Sequence, residues 1–141
     1  MSTNVLYRTS ARAVGGRNGR AETLDGALAV RLDKPRELGG PGGEGTNPEQ
    51  LFAAGYAACF LSALKLVARL QKLPLGDAAI RAQVTLGKSD AGAYQLAVEL
   101  RGRLPGLERA QAEALMAAAH QVCPYSNATR GNIPVELAVE S

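Results

Sequence analysis

The segment Thr46-Asn47-Pro48-Glu49-Gln50-Leu51-Phe52-Ala53-Ala54-Gly55-Tyr56-Ala57-Ala58-Cys59-Phe60 constrains this chain more than any other. Thr46 or Asn47 offers a capping oxygen, Pro48 fits the first helical position, and Glu49 falls where the helix dipole favours an acid. The pattern predicts a helix running to about Gln71 and ending before Pro74. Leu51, Phe52, Ala54, Ala58, Phe60, Leu61, Leu64 and Leu66 fall on most of its faces. A helix apolar on most sides is a buried one, so this is the expected central helix of the domain. Its longest uncharged run, Gln50 to Leu64, is 64 − 50 + 1 = 15 residues, short of the roughly 20 a membrane span needs. No transmembrane segment is expected.

Around that helix the chain reads as strands, strands again, a second helix and a last strand. Residues 4–14 alternate as a strand, with Val5, Tyr7 and Thr9 on one side, and Gly15-Gly16-Arg17-Asn18-Gly19 makes a tight turn. Residues 21–24 and 27–32 are short strands split by Asp25-Gly26, a hairpin signal. Residues 39–45 are too glycine-rich to be anything but a loop. Strands are expected over 79–87 and 94–103, a helix over 107–122 stopped by Pro124, an irregular turn over 125–132, and a strand over 135–139.

The 141 residues suit a single domain, 1–141, and the apolar (46%) and charged (21%) fractions are those of a globular chain. A net charge of +3, 4% aromatics and no basic recognition helix or stripe argue against a nucleic-acid partner. One His and two Cys cannot fill a four-ligand zinc site without carboxylates, and no metal or cofactor is expected. Four Arg and no acid in the first 20 residues have the composition of an organelle transit peptide; the alternating first strand is the preferred reading. With no apolar leader, a reducing, cytoplasmic setting is expected, where the Asn127-Ala128-Thr129 sequon carries no sugar.

Gly40 to Gly45 matches G-x-G-x-x-G, yet no acid stands between Gln50 and Gly76 to hold a ribose, so dinucleotide binding is rejected. The glycines instead permit another chain or a substrate to approach the backbone closely. His120, the sole histidine, is read as a helix-end or surface residue, and without G-x-S-x-G a serine hydrolase is excluded. Cys59 and Cys123 admit two readings: buried apolar residues, or a peroxidatic and resolving pair. A peroxidatic Cys needs a cation to favour its thiolate. Lys65, six residues on, is turned by 240° around the helix, so that cation must come from elsewhere in the fold.

The stretch Gly39–Phe60, the stretch Val122-Cys123-Pro124-Tyr125-Ser126-Asn127-Ala128-Thr129-Arg130-Gly131-Asn132 and the turn Gly15–Gly19 together resemble the organic hydroperoxide resistance (Ohr) branch of the Ohr/OsmC family, in the same order and over essentially the whole chain. The resemblance implies an α+β fold, with antiparallel sheets wrapped around a long buried central helix, in an intertwined homodimer with two active sites at the subunit interface. It implies a thiol-dependent peroxidase acting on organic hydroperoxides, including those of fatty acids, and recycled by dihydrolipoamide or a lipoylated protein. Cys59 matches the peroxidatic Cys, Cys123 the resolving one, and Arg17 and Glu49 the activating pair; the neighbouring Arg20 means that Arg17 is assigned by motif alignment. The OsmC branch and a non-enzymatic thiol sensor are the alternatives.

One point is geometric. Glu49 and Cys59 are ten residues apart, about 15 Å along a straight helix and about 80° around it. They cannot both touch one Arg unless the helix breaks between them or the Glu comes from a partner chain; the second is expected, with Arg17 and Glu49 supplied by the other subunit. Phe52, Phe60, Leu61 and Tyr125 read equally as an apolar substrate pocket beside Cys59 and as core.

Overall fold

The computed structural model describes residues 4–140. Its chain divides into two compact units, one ending at Pro48 and the other beginning at Glu49.

Glycine turns organise the first unit. Strands β1 (Ala11–Val14), β2 (Arg20–Thr23) and β3 (Ala29–Arg31) form an antiparallel sheet in that order. β1 is shorter than the strand expected over 4–14. Between β1 and β2, Gly15 and Gly16 take φ values of 77° and 58°, and a Cβ on Gly19 would collide with the Val14 carbonyl. Only glycine allows this turn, which carries Arg17 at its centre. The loop after β3 closes on its own Asp33: the Gly45 amide donates to the Asp33 carboxylate at 2.6 Å, and a Cβ on Gly43 or Gly45 would strike that carboxylate. Within this unit, Asp33 makes a close approach that these glycines permit. The Gly45 amide, helped by Arg31, holds the Asp33 carboxyl below its ordinary range.

The second unit contains α1 (Pro48–Leu70), β4 (Ala79–Lys88), β5 (Tyr94–Arg103), α2 (Arg109–Val122), α3 (Pro124–Thr129) and β6 (Val135–Val139). β4 and β5 are antiparallel, with Val84 opposite Val98. β6 runs parallel to β5, with Leu137 opposite Leu100, so this sheet is mixed, not purely antiparallel as expected. The helical crossover through α2 and α3 returns the chain to the end of the sheet where β5 began, which sets β6 parallel. The segment expected as an irregular turn holds α3. Pro124 stops α2, because it lacks the amide that α2 would need, and then opens α3 as its first residue.

The core joins Tyr56, Phe60, Leu64 and Val67 of α1 to Val98 and Leu100 of β5 and to Leu115, Met116 and Ala119 of α2. α1 is the central helix, and it is continuous, but it is buried on one face only. Leu66 and Leu70 on its other side are 36% and 73% exposed. Of the apolar residues counted around the helix, Ala54, Ala58 and Leu66 are exposed in this chain, so apolar type alone did not mark the buried face. By length and composition α1 is also long and apolar enough to cross a membrane, with a third of its most apolar window buried inside the fold. The charge at Lys65, which limited the uncharged run, does not lower that window enough to exclude it.

Candidate active site

Helical periodicity places Phe52, Tyr56, Cys59, Phe60 and Ala63 along one stripe of α1. Cys59, in the middle, is half-buried; Cys123, where α2 passes into α3, is fully buried. Both are free thiols, and the Cys123 Sγ donates to the Cys59 Sγ at 3.4 Å. A disulfide bond is about 2.0 Å long, so the sulfurs need approach by only about 1.4 Å to join. The Tyr125 backbone N–H, in the first turn of α3, donates to the Cys59 sulfur. Burial pushes the Cys59 thiol above its ordinary pKa, Tyr125 opposes this, and neighbouring Cys123 adds to the rise. Within this unit, then, burial and Cys123 outweigh Tyr125 and disfavour the Cys59 thiolate.

Cys59 opens onto a groove of about 530 Å³ whose walls include Lys65, Leu66, Arg69, Val122 and Pro124. Lys65 therefore borders the same groove, although it is turned 240° from Cys59: that is 120° the other way, a span its long side chain covers.

On the buried side, three aromatic rings cluster. Phe52 stacks on Tyr125 at 5.9 Å and meets Tyr56 edge-on at 5.7 Å, and Tyr56 lies 5.6 Å from Tyr125. The Tyr125 ring lies over Gly55, where a Cβ would stand 2.9 Å from its hydroxyl. Phe60 is wholly buried in the core and Leu61 packs partly buried against it, while Tyr125 is 38% exposed. Arg17 sits in the β1–β2 turn and Glu49 in the first turn of α1. Among the described residues no three His, Cys, Asp or Glu side chains gather into a metal site.

Sequence reasoning missed a polar cluster beneath this site. The Ser126 hydroxyl lies 2.8 Å from the Tyr56 hydroxyl and 2.7 Å from His120 Nδ1, and the Tyr56 hydroxyl lies 3.1 Å from Thr129 Oγ1. Its only sequence signal is a tyrosine in an apolar helix, whose hydroxyl must find a partner once buried. His120 does stand in the last turn of α2, as expected, but half-buried; burial first, and then the Arg130 guanidinium, hold its pKa below the ordinary value.

A family model of OsmC-like proteins matches residues 40–138. An organic hydroperoxide resistance protein of Xanthomonas axonopodis pv. citri is 56% identical over 136 residues, covering 96% of this chain and 95% of its own. The chain belongs to the Ohr/OsmC family. Solved structures of relatives agree. An organic hydroperoxide resistance protein from Legionella pneumophila superposes with a TM-score of 0.93 at 54% identity, covering 98% of this chain and 100% of its own. A Vibrio cholerae relative with captopril bound in one of its active sites superposes with a TM-score of 0.92 at 48% identity, covering 99% of this chain and 95% of its own. The fold is the α+β fold of Ohr/OsmC proteins, with two sheets and a central helix.

Proposed function

We propose that this Ohr/OsmC chain is a thiol-dependent peroxidase that reduces alkyl and lipid hydroperoxides to alcohols, with residues 1–141 working as one domain of a cytoplasmic homodimer. The carrying observation is the pair of free thiols 3.4 Å apart, one reachable from a groove and one buried. The Cys59 thiolate attacks the outer oxygen of the peroxide, the O–O bond breaks, and the alkoxide leaves with a proton as alcohol. Cys59 becomes a sulfenic acid. The Cys123 sulfur then displaces its oxygen, which leaves as water, and a Cys59–Cys123 disulfide forms before further oxidation. A dithiol, dihydrolipoamide or a lipoylated protein, reduces the disulfide by exchange.

Burial keeps Cys59 above its ordinary pKa, so a permanent cation must favour its thiolate. In this reading Arg17 is that cation and Glu49 orients it through a bidentate contact. α1 is unbroken from Pro48 to Leu70, which keeps Glu49 about 15 Å along the axis from Cys59. The reading therefore has Arg17 and Glu49 acting on the Cys59 of a second copy. The exposed apolar side of α1, with Leu66 and Leu70, is consistent with such a dimer. Phe52, Leu61 and Tyr125 would present apolar surface to the substrate, with Phe60 backing them from the core.

The test is steady-state removal of cumene hydroperoxide with dihydrolipoamide, with hydrogen peroxide run alongside. The expected result is turnover that prefers the organic peroxide and disappears in Cys59→Ser. Absence of turnover, with Cys59 still a free thiol, would overturn the reading; a single stoichiometric oxidation without turnover would mark a thiol sensor instead.

A further inference from the structure

We propose that Tyr56, Ser126, Thr129 and His120 form a positioning network that sets how readily Cys59 and Cys123 join. The inference rests on the peroxidase reading only for its rate predictions. Tyr56 lies three residues before Cys59 on α1, and Ser126 three residues after Cys123. The Tyr56–Ser126 hydrogen bond therefore ties together the same two elements as the sulfur pair, from the buried side. Both residues are fully buried, and among the described residues no buried side-chain polar atom lacks a partner. The Thr129 hydroxyl donates to the Ser126 carbonyl at 3.3 Å, which spends its one proton. The Tyr56 hydroxyl must then donate to Thr129 and accept from Ser126, and Ser126 in turn accepts from His120 Nδ1–H.

The order of donors fixes the direction of every bond. It requires His120 to carry its proton on Nδ1, and it works with the imidazole neutral or charged. Arg130 closes the outer side by donating to the His120 carbonyl at 2.7 Å and to Asn127 at 2.6 Å. The network thus anchors α3 to α1 and to the last turn of α2. α3 in turn presents the Tyr125 N–H to the Cys59 sulfur, and its entry holds Cys123 in reach. Networks of this kind are cooperative, so one deletion loosens the set.

The test needs no peroxide. The Cys59–Cys123 disulfide is equilibrated with dithiothreitol in wild type, Tyr56→Phe, Ser126→Ala, His120→Leu and His120→Asn. Tyr56→Phe keeps the ring contacts with Phe52 and Tyr125 and removes only the hydroxyl. The expected result is a disulfide about tenfold easier to reduce in the first three variants, equivalent to about 30 mV. His120→Asn retains a donor where Nδ1 stood and is expected to stay within twofold of wild type. Leu115→Ala, a core truncation outside the network, is expected to lower the melting temperature without moving the equilibrium. An unmoved equilibrium in Tyr56→Phe and Ser126→Ala, or an equal movement in Leu115→Ala, would overturn the proposal. If the chain proves not to be a peroxidase, this equilibrium still decides the positioning role. In a peroxidase, the same three variants are also expected to condense their sulfenic acid more slowly and to accumulate Cys59 sulfinic acid under excess peroxide.

Discussion

Cys59 and Cys123 lie 3.4 Å apart, yet their surroundings differ in kind. Cys59 stands in the middle of a 23-residue helix whose core face is locked by Tyr56, Phe60 and Leu64, and its own sulfur reaches an open groove. Cys123 stands where one helix ends and a six-residue helix begins, fully buried, and that short helix is tied to α1 by the Ser126–Tyr56 hydrogen bond and by the Tyr125 ring against Phe52 and Tyr56. In the proposed peroxidase, the first setting would give a fixed nucleophile with an approach for substrate. The second would give a sulfur that substrate cannot reach but that needs little movement to meet its neighbour. A reaction that oxidises one sulfur and resolves with the other calls for this asymmetry.

The largest expected break in the comparison comes from the sulfurs themselves. Cys59→Ser is expected to lower peroxidase turnover by roughly 10³-fold or more, because the nucleophile is gone. Cys123→Ser is expected to keep the first oxidation and lose turnover with the dithiol, with Cys59 trapped as sulfenic and then sulfinic acid by mass spectrometry. Equal loss of the first oxidation in both variants would erase the distinction.

Phe60→Ala probes the locked side. It removes a fully buried ring beside Cys59 and is expected to cost about 3–5 kcal/mol in denaturant unfolding. Gly55→Ala probes the seam between the two settings. Alanine gains up to about 1 kcal/mol of helix propensity, while the new methyl would press on the Tyr125 ring at a cost of about 1–3 kcal/mol. The clash wins, and a net loss of about 1 kcal/mol in denaturant unfolding is expected; a gain in stability would show that Tyr125 moves freely.

The smallest effect is electrostatic. The folded chain holds the His120 pKa below its ordinary value, so the unfolded chain takes up the proton first as pH falls. The contribution is fully present above the ordinary histidine range and is lost progressively as pH drops through about 6.5. Melting temperatures from pH 8 to pH 5 are expected to fall on the acid side, and His120→Asn to flatten part of that fall.

Much of this was legible in the sequence, and for physical reasons. Pro48, Glu49 and the apolar run fixed where α1 starts, and the glycines of 15–19 fixed a turn that no other residue tolerates. The pairing of β4 with β5 followed from alternation and a four-residue turn. The parallel register of β6 was not readable, since it depends on which end of the sheet the crossover returns to. Pro124 was read as a stop when it is also a start, because a proline ends one helix for the same reason that it suits the first position of the next. The one-sided burial of α1 was hidden because Leu66 and Leu70 are apolar yet exposed in this chain. The two cysteines stood out by type and motif, but the hydroxyls of Tyr56, Ser126 and Thr129 converge only through the fold, over 70 residues of sequence.

The central claim is that Cys59 and Cys123 are one redox unit, and a single-turnover experiment tests it most directly. Reduced protein is mixed with one equivalent of cumene hydroperoxide, quenched with a thiol-blocking reagent and mapped by mass spectrometry. The account predicts loss of two thiols per peroxide and a Cys59–Cys123 disulfide, with a transient sulfenic acid at Cys59 alone. Both thiols left free, or a sulfenic acid first at Cys123, would contradict it.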